Sequence, residues 1–165
     1  MTAIHHYLKQ LTNRNEPVKP KTAIIRAGLG GMLAIALIAV ISSTSGNMLL
    51  MAPFGATCVL LFSVPDSPLS QPANVIGGHI VSTTIGLLAC MLLPVDWWSM
   101  GMAVGLAISL MAALRITHPP AGADPLVVML SGVAWDYLLF PVITGSLALV
   151  IIASLFQRLP GKSTG

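Results

Sequence analysis

Charge is scarce in this chain of 165 residues, and its basic residues avoid the middle. Lys9, Arg14, Lys19, Lys21 and Arg26 precede the first long apolar run, Arg158 and Lys162 follow the last, and only Arg115 lies between. Charged residues make up 8% of the chain, against roughly a quarter in soluble domains. A surface so poor in charge cannot face water. With 55% hydrophobic residues and a mean hydropathy of +0.87, the solvent for most of this chain is lipid. The length admits one domain of about four to six short spans. The basic residues at both ends put both termini in the cytoplasm of a bacterial inner membrane protein, with an even number of crossings.

Within the apolar region a single device occurs twice. Pro53-Phe54-Gly55-Ala56-Thr57 opens a short apolar run, and Pro120-Ala121-Gly122-Ala123-Asp124 opens another. Each lies between longer apolar segments. Short segments broken by Pro and Gly at matching positions of two halves point to a transport site. A shift of 67 residues that lays Pro53 on Pro120 also lays Val75-Ile76-Gly77-Gly78 on Val142-Ile143-Thr144-Gly145. The repeating unit is therefore span, broken segment, span.

This predicts an all-α polytopic protein. A basic amphipathic arm, with Ile4, Leu8 and Leu11 at helical spacing, occupies 1–21 and ends at Pro17 and Pro20. The membrane domain occupies 22–157 and a polar tail 158–165. Spans are expected near 22–41, 73–93, 98–114 and 138–156, with broken segments near 48–64 and 120–133. If the broken segments are re-entrant half-helices, there are four spans and the halves are parallel. If they cross, there are six short spans and the halves are inverted, three and three. The paired prolines and glycines favour the re-entrant arrangement, while a crossing places Arg115 on the cytoplasmic side, where a lone Arg fits better. The Pro- and Ser-rich loop 65–72 is expected to lack regular structure. Gly28, Gly30, Gly31 and Ala34, and Gly101 with Gly105, offer thin helix faces for packing.

Pro53 and Pro120 can each start a half-helix, because the first turn needs no proline N–H. The Gly-Ala pairs that follow, Gly55-Ala56 and Gly122-Ala123, keep the start slim. Free N–H groups at a half-helix start attract anions. Arg115, Thr117, His118, Pro119 and Asp124 surround the second start. Asp124 would repel an anion, so it is a candidate partner for Arg115 or His118, or a proton acceptor. His79, behind Gly77-Gly78, is a candidate for charge switching in the physiological range. Ionisable groups inside spans are functional candidates by default. HExxH, GxSxG, CxxC and phosphate-loop patterns do not occur, so no enzyme and no cofactor is expected. A metal held by His79, His118 and Asp124 is not specified by their spacing. Cys58 and Cys90 read as buried small hydrophobes, and the basic arm as a topology determinant with no nucleic-acid partner.

The stretch Thr117-His118-Pro119-Pro120-Ala121-Gly122-Ala123 strongly resembles the HPP family of small integral membrane proteins. Ala52–Ala56, the loop Ser67–Pro72 and Gly77-Gly78-His79 also resemble the family pattern, and the resemblance covers roughly 20–157. It implies four transmembrane helices and, since plastid and cyanobacterial members are associated with nitrite transport, a carrier of nitrite or another small anion. Asp124-Pro125 departs from the small and apolar residues expected there. The resulting expectation is a homo-oligomeric anion transporter or channel, most directly for nitrite, that binds its substrate at the half-helix starts. Pro53, Gly55, Ala56, Thr57, His79, Arg115, Thr117, His118, Pro119, Pro120, Gly122, Ala123 and Asp124 form the site. The competing expectation is a non-transporting membrane scaffold or accessory subunit that binds a partner through its glycine faces and basic arm.

Overall fold

The computed structural model describes Leu8, Leu11 and residues 13–159. The arm helix expected around Ile4 falls largely outside the described residues, as does the tail beyond Leu159. Among the described residues all regular structure is helical. Three helices are long and apolar enough to cross a membrane: α1 (Lys21–Ser45), α3 (Pro72–Leu92) and α6 (Leu138–Arg158). The next, α4 (Trp97–Ala113), is apolar and shorter. At 1.5 Å per residue it measures about 25 Å, close to the ~30 Å of a hydrocarbon core. The remaining two, α2 (Pro53–Ser63) and α5 (Asp124–Ser131), are roughly 16 and 12 Å long, half a membrane each.

Local chemistry sets these boundaries. Proline occupies the first turn of α2, α3 and α5. A reciprocal capping box between Asp96 and Ser99 starts α4. Gly46 and Gly132 close α1 and α5 in the left-handed conformation. The second broken segment differs from its expected form. The chain from Pro119 to Ala123 is a 3₁₀ turn, and the α-helix begins only at Asp124, with Pro125 in its first turn. Three prolines within seven residues remove the amides that an α-helix from Pro120 would use. The loop after α2 is also more ordered than expected. The Ser67 hydroxyl accepts from the Leu69 amide and caps a 3₁₀ turn over Pro68–Ser70.

Contacts fix the direction of each segment. Lys19 Nζ donates to the Ser63 carbonyl, Arg26 donates to the Phe156 and Leu159 carbonyls, and Asn74 donates to the Thr117 carbonyl. The start of α1, the end of α2, the start of α3, the end of α4 and the end of α6 therefore share one end of the bundle. At the other end, 46–48 meets 133–140 around one cavity, and Trp135 lies against Met91. The α2 helix runs parallel to α6, with Phe54 at Gly145 and Phe62 at Phe156. Similarly α5 runs parallel to α3, with Asp124 at His79 and Val128 at Gly86. Each broken segment thus runs on to the end opposite the one it came from. Of the two arrangements the repeat allows, these directions match the three-plus-three inverted one, not a return to the same end. Lys19, Lys21, Arg26, Arg115 and Arg158 belong to the terminal end of the bundle, together with Asp66, while Asp96 and Asp136 lie at the far end.

Pairings obey the 67-residue shift. The α1–α2 contact has its counterpart in α4–α5, α3–α5 in α6–α2, and α3–α4 in α6–α1. Two glycines make the symmetry plain. A Cβ at Gly78 would lie 2.7 Å from His118 Cβ and 3.3 Å from the Ile116 carbonyl oxygen. A Cβ at Gly145 would run into the Leu49 carbonyl oxygen and lie 3.0 Å from Phe54 Cζ. Gly78 and Gly145 are 67 apart, and so are Leu49 and Ile116. The third segment of each repeat therefore grips the lead-in of the other.

Because lipid tails are as apolar as the helices, such fits depend on close packing and not on hydrophobic burial. Gly30 admits the edge-to-face pair Phe62 and Phe156, in keeping with its thin face. Gly101 and Gly105 behave otherwise. They are exposed, a Cβ at either would meet nothing, and α4 packs inward through Ser99, Ala103, Ala107 and Met111.

Candidate functional site

Where the two half-helices meet α3, the interior is polar. Thr57, His79, Ser82, Thr83, His118 and Asp124 are all buried. The α2 helix supplies Thr57 one turn after Pro53, and its hydroxyl also lies 3.3 Å from the Pro53 carbonyl. On α3, His79, Ser82 and Thr83 share one face at i, i+3 and i+4. The chain before the 3₁₀ turn supplies His118, and the first turn of α5 supplies Asp124.

Together they form a continuous hydrogen-bonded line. His118 Nδ1 meets the Leu69 carbonyl at 2.8 Å. His118 Nε2 meets Thr57 Oγ1 at 3.0 Å, and His79 Nε2 meets the same oxygen at 2.9 Å. His79 Nδ1 meets Asp124 Oδ2 at 2.8 Å, and Thr83 Oγ1 donates to Oδ2 from 3.3 Å. Ser82 Oγ donates to the Ala121 carbonyl at 2.6 Å and fixes the 3₁₀ turn on α3. The Phe54 ring stands edge-on to His79 with centroids 5.3 Å apart, and the two imidazoles stand edge-on at 5.0 Å. Asp124 Oδ1 is buried without a partner.

On the other side of the half-helices runs a groove of about 620 Å³. Ala52, Pro53, Ala56 and Leu60 line one wall, and Pro119, Pro120, Ala123 and Val127 line the other. These are four pairs of residues 67 apart, so the groove lies on the internal two-fold axis.

The residues read from the sequence divide into three groups. Thr57, His79, His118 and Asp124 form the polar line. Pro53, Ala56, Pro119, Pro120 and Ala123 border the groove. Arg115, Thr117, Gly55 and Gly122 do neither. Arg115 is exposed where α4 ends in the left-handed conformation, at φ 61, and the partners of Asp124 are His79 and Thr83. Thr117 contributes only its carbonyl, to Asn74. A Cβ at Gly55 or Gly122 would meet nothing, so neither glycine is there for a close approach. The amides at the half-helix starts are also less free than expected. Those of Phe54, Gly55, Ala121 and Asp124 donate to the carbonyls of Met51, Ala52, His118 and Ala121. Among the described residues no group of three or more His, Cys, Asp and Glu is placed to hold a metal ion.

Thr83, Ser82 and the Leu69 carbonyl escape sequence reasoning. The first two are within reach of it, because they follow His79 at helical spacing. A carbonyl has no sequence signature.

Helices of spanning length, a charge-poor middle and a buried polar core between two inverted halves define a polytopic helical membrane protein. The family described as HPP, transmembrane region, matches residues 16–164, and the chain belongs to it. Two proteins of Dictyostelium discoideum, both called transmembrane proteins, are similar. One is 33% identical over 141 residues, covering 80% of this chain and 45% of its own length. The other is 32% identical over 146 residues, covering 82% and 51%. The chain thus spans about half the length of these curated relatives. No solved structure matches it.

Proposed function

We propose that this chain is a transporter of a small monovalent anion, with nitrite the first candidate, working in a bacterial inner membrane with both termini in the cytoplasm. The observation that carries this reading is the groove on the two-fold axis, walled by equivalent residues of two half-helices. Inverted repeats with broken helices at their interface are the architecture of alternating access, in which one repeat rocks against the other around a fixed site. The anion passes between the two half-helix starts, whose dipoles favour negative charge even with their first amides engaged. Nitrite is suggested by the family resemblance alone. The grouping of basic residues at the terminal end supports the cytoplasmic assignment through the positive-inside rule. The open face at Gly101 and Gly105 offers a contact for a second copy. No catalytic step and no cofactor enter this reading.

The test is flux. Purified protein in liposomes should move nitrite faster than empty liposomes, with chloride and formate as comparison anions. Replacing Ala56 and Ala123 together by Leu should fill the groove and abolish the protein-dependent flux. Absence of flux for every anion, from folded protein, overturns the proposal in favour of a scaffold.

A further inference from the structure

The polar line obeys a strict proton count. A carbonyl oxygen only accepts, so His118 Nδ1 bears the hydrogen that meets Leu69. Among the described residues His118 is buried with no ion-pair partner, and a buried charge without one is costly, so it is neutral and accepts at Nε2, where its partner is the Thr57 hydroxyl. A hydroxyl has one hydrogen. Once it points to His118 at 3.0 Å and not to the Pro53 carbonyl at 3.3 Å, the other nitrogen at the same oxygen, His79 Nε2, must donate. A neutral His79 with hydrogen on Nε2 presents a bare Nδ1 to Asp124 Oδ2, 2.8 Å away. Two acceptors at that distance repel, so one further hydrogen lies between them. It belongs to the pair, either as imidazole with carboxylic acid or as imidazolium with carboxylate. Each hydrogen bond from Leu69 to Asp124 is then made.

Removing that one proton cannot be absorbed. If His79 turns its hydrogen to Nδ1 to satisfy the carboxylate, its bare Nε2 joins His118 Nε2 in asking Thr57 for a single hydrogen. One imidazole nitrogen is left buried without a partner, which is costly in a dry interior. Thr57 therefore couples the two histidines. The loaded line is neutral and complete, whereas the unloaded line carries one negative charge and is broken.

The neighbours leave this proton no competing ion pair. From α2 the facing groups are Thr57 and Phe54, neither of them ionisable. From α3 they are His79, Ser82 and Thr83, and from the 3₁₀ turn His118. From α4 the neighbour is Met111. Ahead of α6, Tyr137 is buried and within electrostatic reach of Asp124. Among the described residues the only ion pair involving Asp124 is with His79.

We propose that the His79–Asp124 pair, read through Thr57 and His118, is the binding site of one proton that travels with the transported anion. This rests on the transport reading above and adds its coupling ion. Thr57 and Asp124 also belong to the two half-helices that wall the groove. An unloaded, negative line would repel an anion in that groove, and a loaded one would not. Proton and anion then favour each other's binding, and the two move in the same direction.

Two measurements separate the claims. In proteoliposomes holding a pH-sensitive dye, a nitrite gradient should drive about one proton per nitrite through the protein, after subtracting the nitrous acid that crosses empty liposomes. The Asp124→Asn and His79→Gln variants should lower the protons moved per nitrite at least tenfold, and Thr57→Val should lower it severalfold. An unchanged ratio in Asp124→Asn overturns the proposal. The second measurement needs no substrate and no variant. Nitrogen-15 NMR of histidine-labelled wild-type protein in micelles should show His118 protonated at Nδ1 and His79 at Nε2. A bare Nε2 on His79 at neutral pH overturns the proton count even where transport is found. The expected NMR pattern with no nitrite flux from wild type leaves the proton site standing and sinks the transport reading.

Discussion

The two repeats share a backbone plan and divide the chemistry unequally. Thr57 and Asp124 occupy equivalent positions, one turn after Pro53 and Pro120, and both bond to His79. The counterpart of His79 is Ser146, whose hydroxyl turns back to the Ile143 carbonyl in its own turn. The counterpart of His118 is Met51, and that of Ala121 is Phe54, whose ring fills the space beside Gly145. Around one crossing of the repeats there is a complete polar line, and around the other an apolar plug. Symmetry therefore supplies the frame and the groove, while the polar chemistry is built on one side of the axis only. Asp124-Pro125, which breaks the expected motif, is where that asymmetry enters.

The sharpest way to break this comparison is at the two gripping glycines. Gly145→Ala should cost about 3 kcal/mol, because the new Cβ meets a backbone carbonyl and an aromatic ring that cannot both withdraw. Gly78→Ala should cost about 1–2 kcal/mol. Thermal unfolding in detergent compares them. If both behave like Gly101→Ala, where the Cβ meets nothing, the reciprocal grip is not a packing constraint. Next in size is Thr57→Val, expected to cost about 2 kcal/mol by stranding histidine nitrogens, against about 0.5 kcal/mol for Ser146→Ala, whose bond is local. Equal losses in a denaturant titration would mean that the two sides are not chemically distinct. Arg26→Gln should cost about 1 kcal/mol, discounted for partial exposure, because Arg26 caps the last carbonyls of α6. Arg115→Gln should leave the melting temperature in place. The smallest contrast is across the groove. In a background without Cys58 and Cys90, Ala56→Cys and Ala123→Cys should react with a water-soluble thiol reagent at rates within about threefold of each other. A groove wet on one wall only would deny the two-fold axis.

Much of the frame is legible in the sequence because it rests on composition and breakers. Lipid as solvent, the long helices and the half-length segments after Pro53 and Pro120 follow from apolar runs and prolines. The 67-residue shift even pairs Gly78 with Gly145. Direction is not legible, because a broken segment that crosses and one that returns have the same residues. The decision lies in contacts such as Lys19 with Ser63 and Asn74 with Thr117. Of the site, His79, His118 and Asp124 stand out as ionisable groups in an apolar chain. Arg115 stands out for the same reason yet is no partner of Asp124, since proximity in sequence cannot show that α4 ends by turning it outward. The bridging role of Thr57 is invisible in the sequence. A threonine in an apolar helix is ordinary until two imidazoles are known to face it.

The clamp between Arg26 and the end of α6 has a consequence for how the protein is made. Its partners are 130 or more residues apart, so Arg26 is synthesised well before them. The first helix is in the bilayer long before the carbonyls that Arg26 will hold exist. Phe62 must likewise wait for Phe156 before the notch at Gly30 is filled. The α1–α2 face is thus born with an unfinished seam, and only the arrival of α6 can close it. Chain closure of this long-range kind is slow and leaves its partners exposed meanwhile. A protein lacking α6 should therefore insert, yet remain open to proteases and quality control along the α1–α2 face.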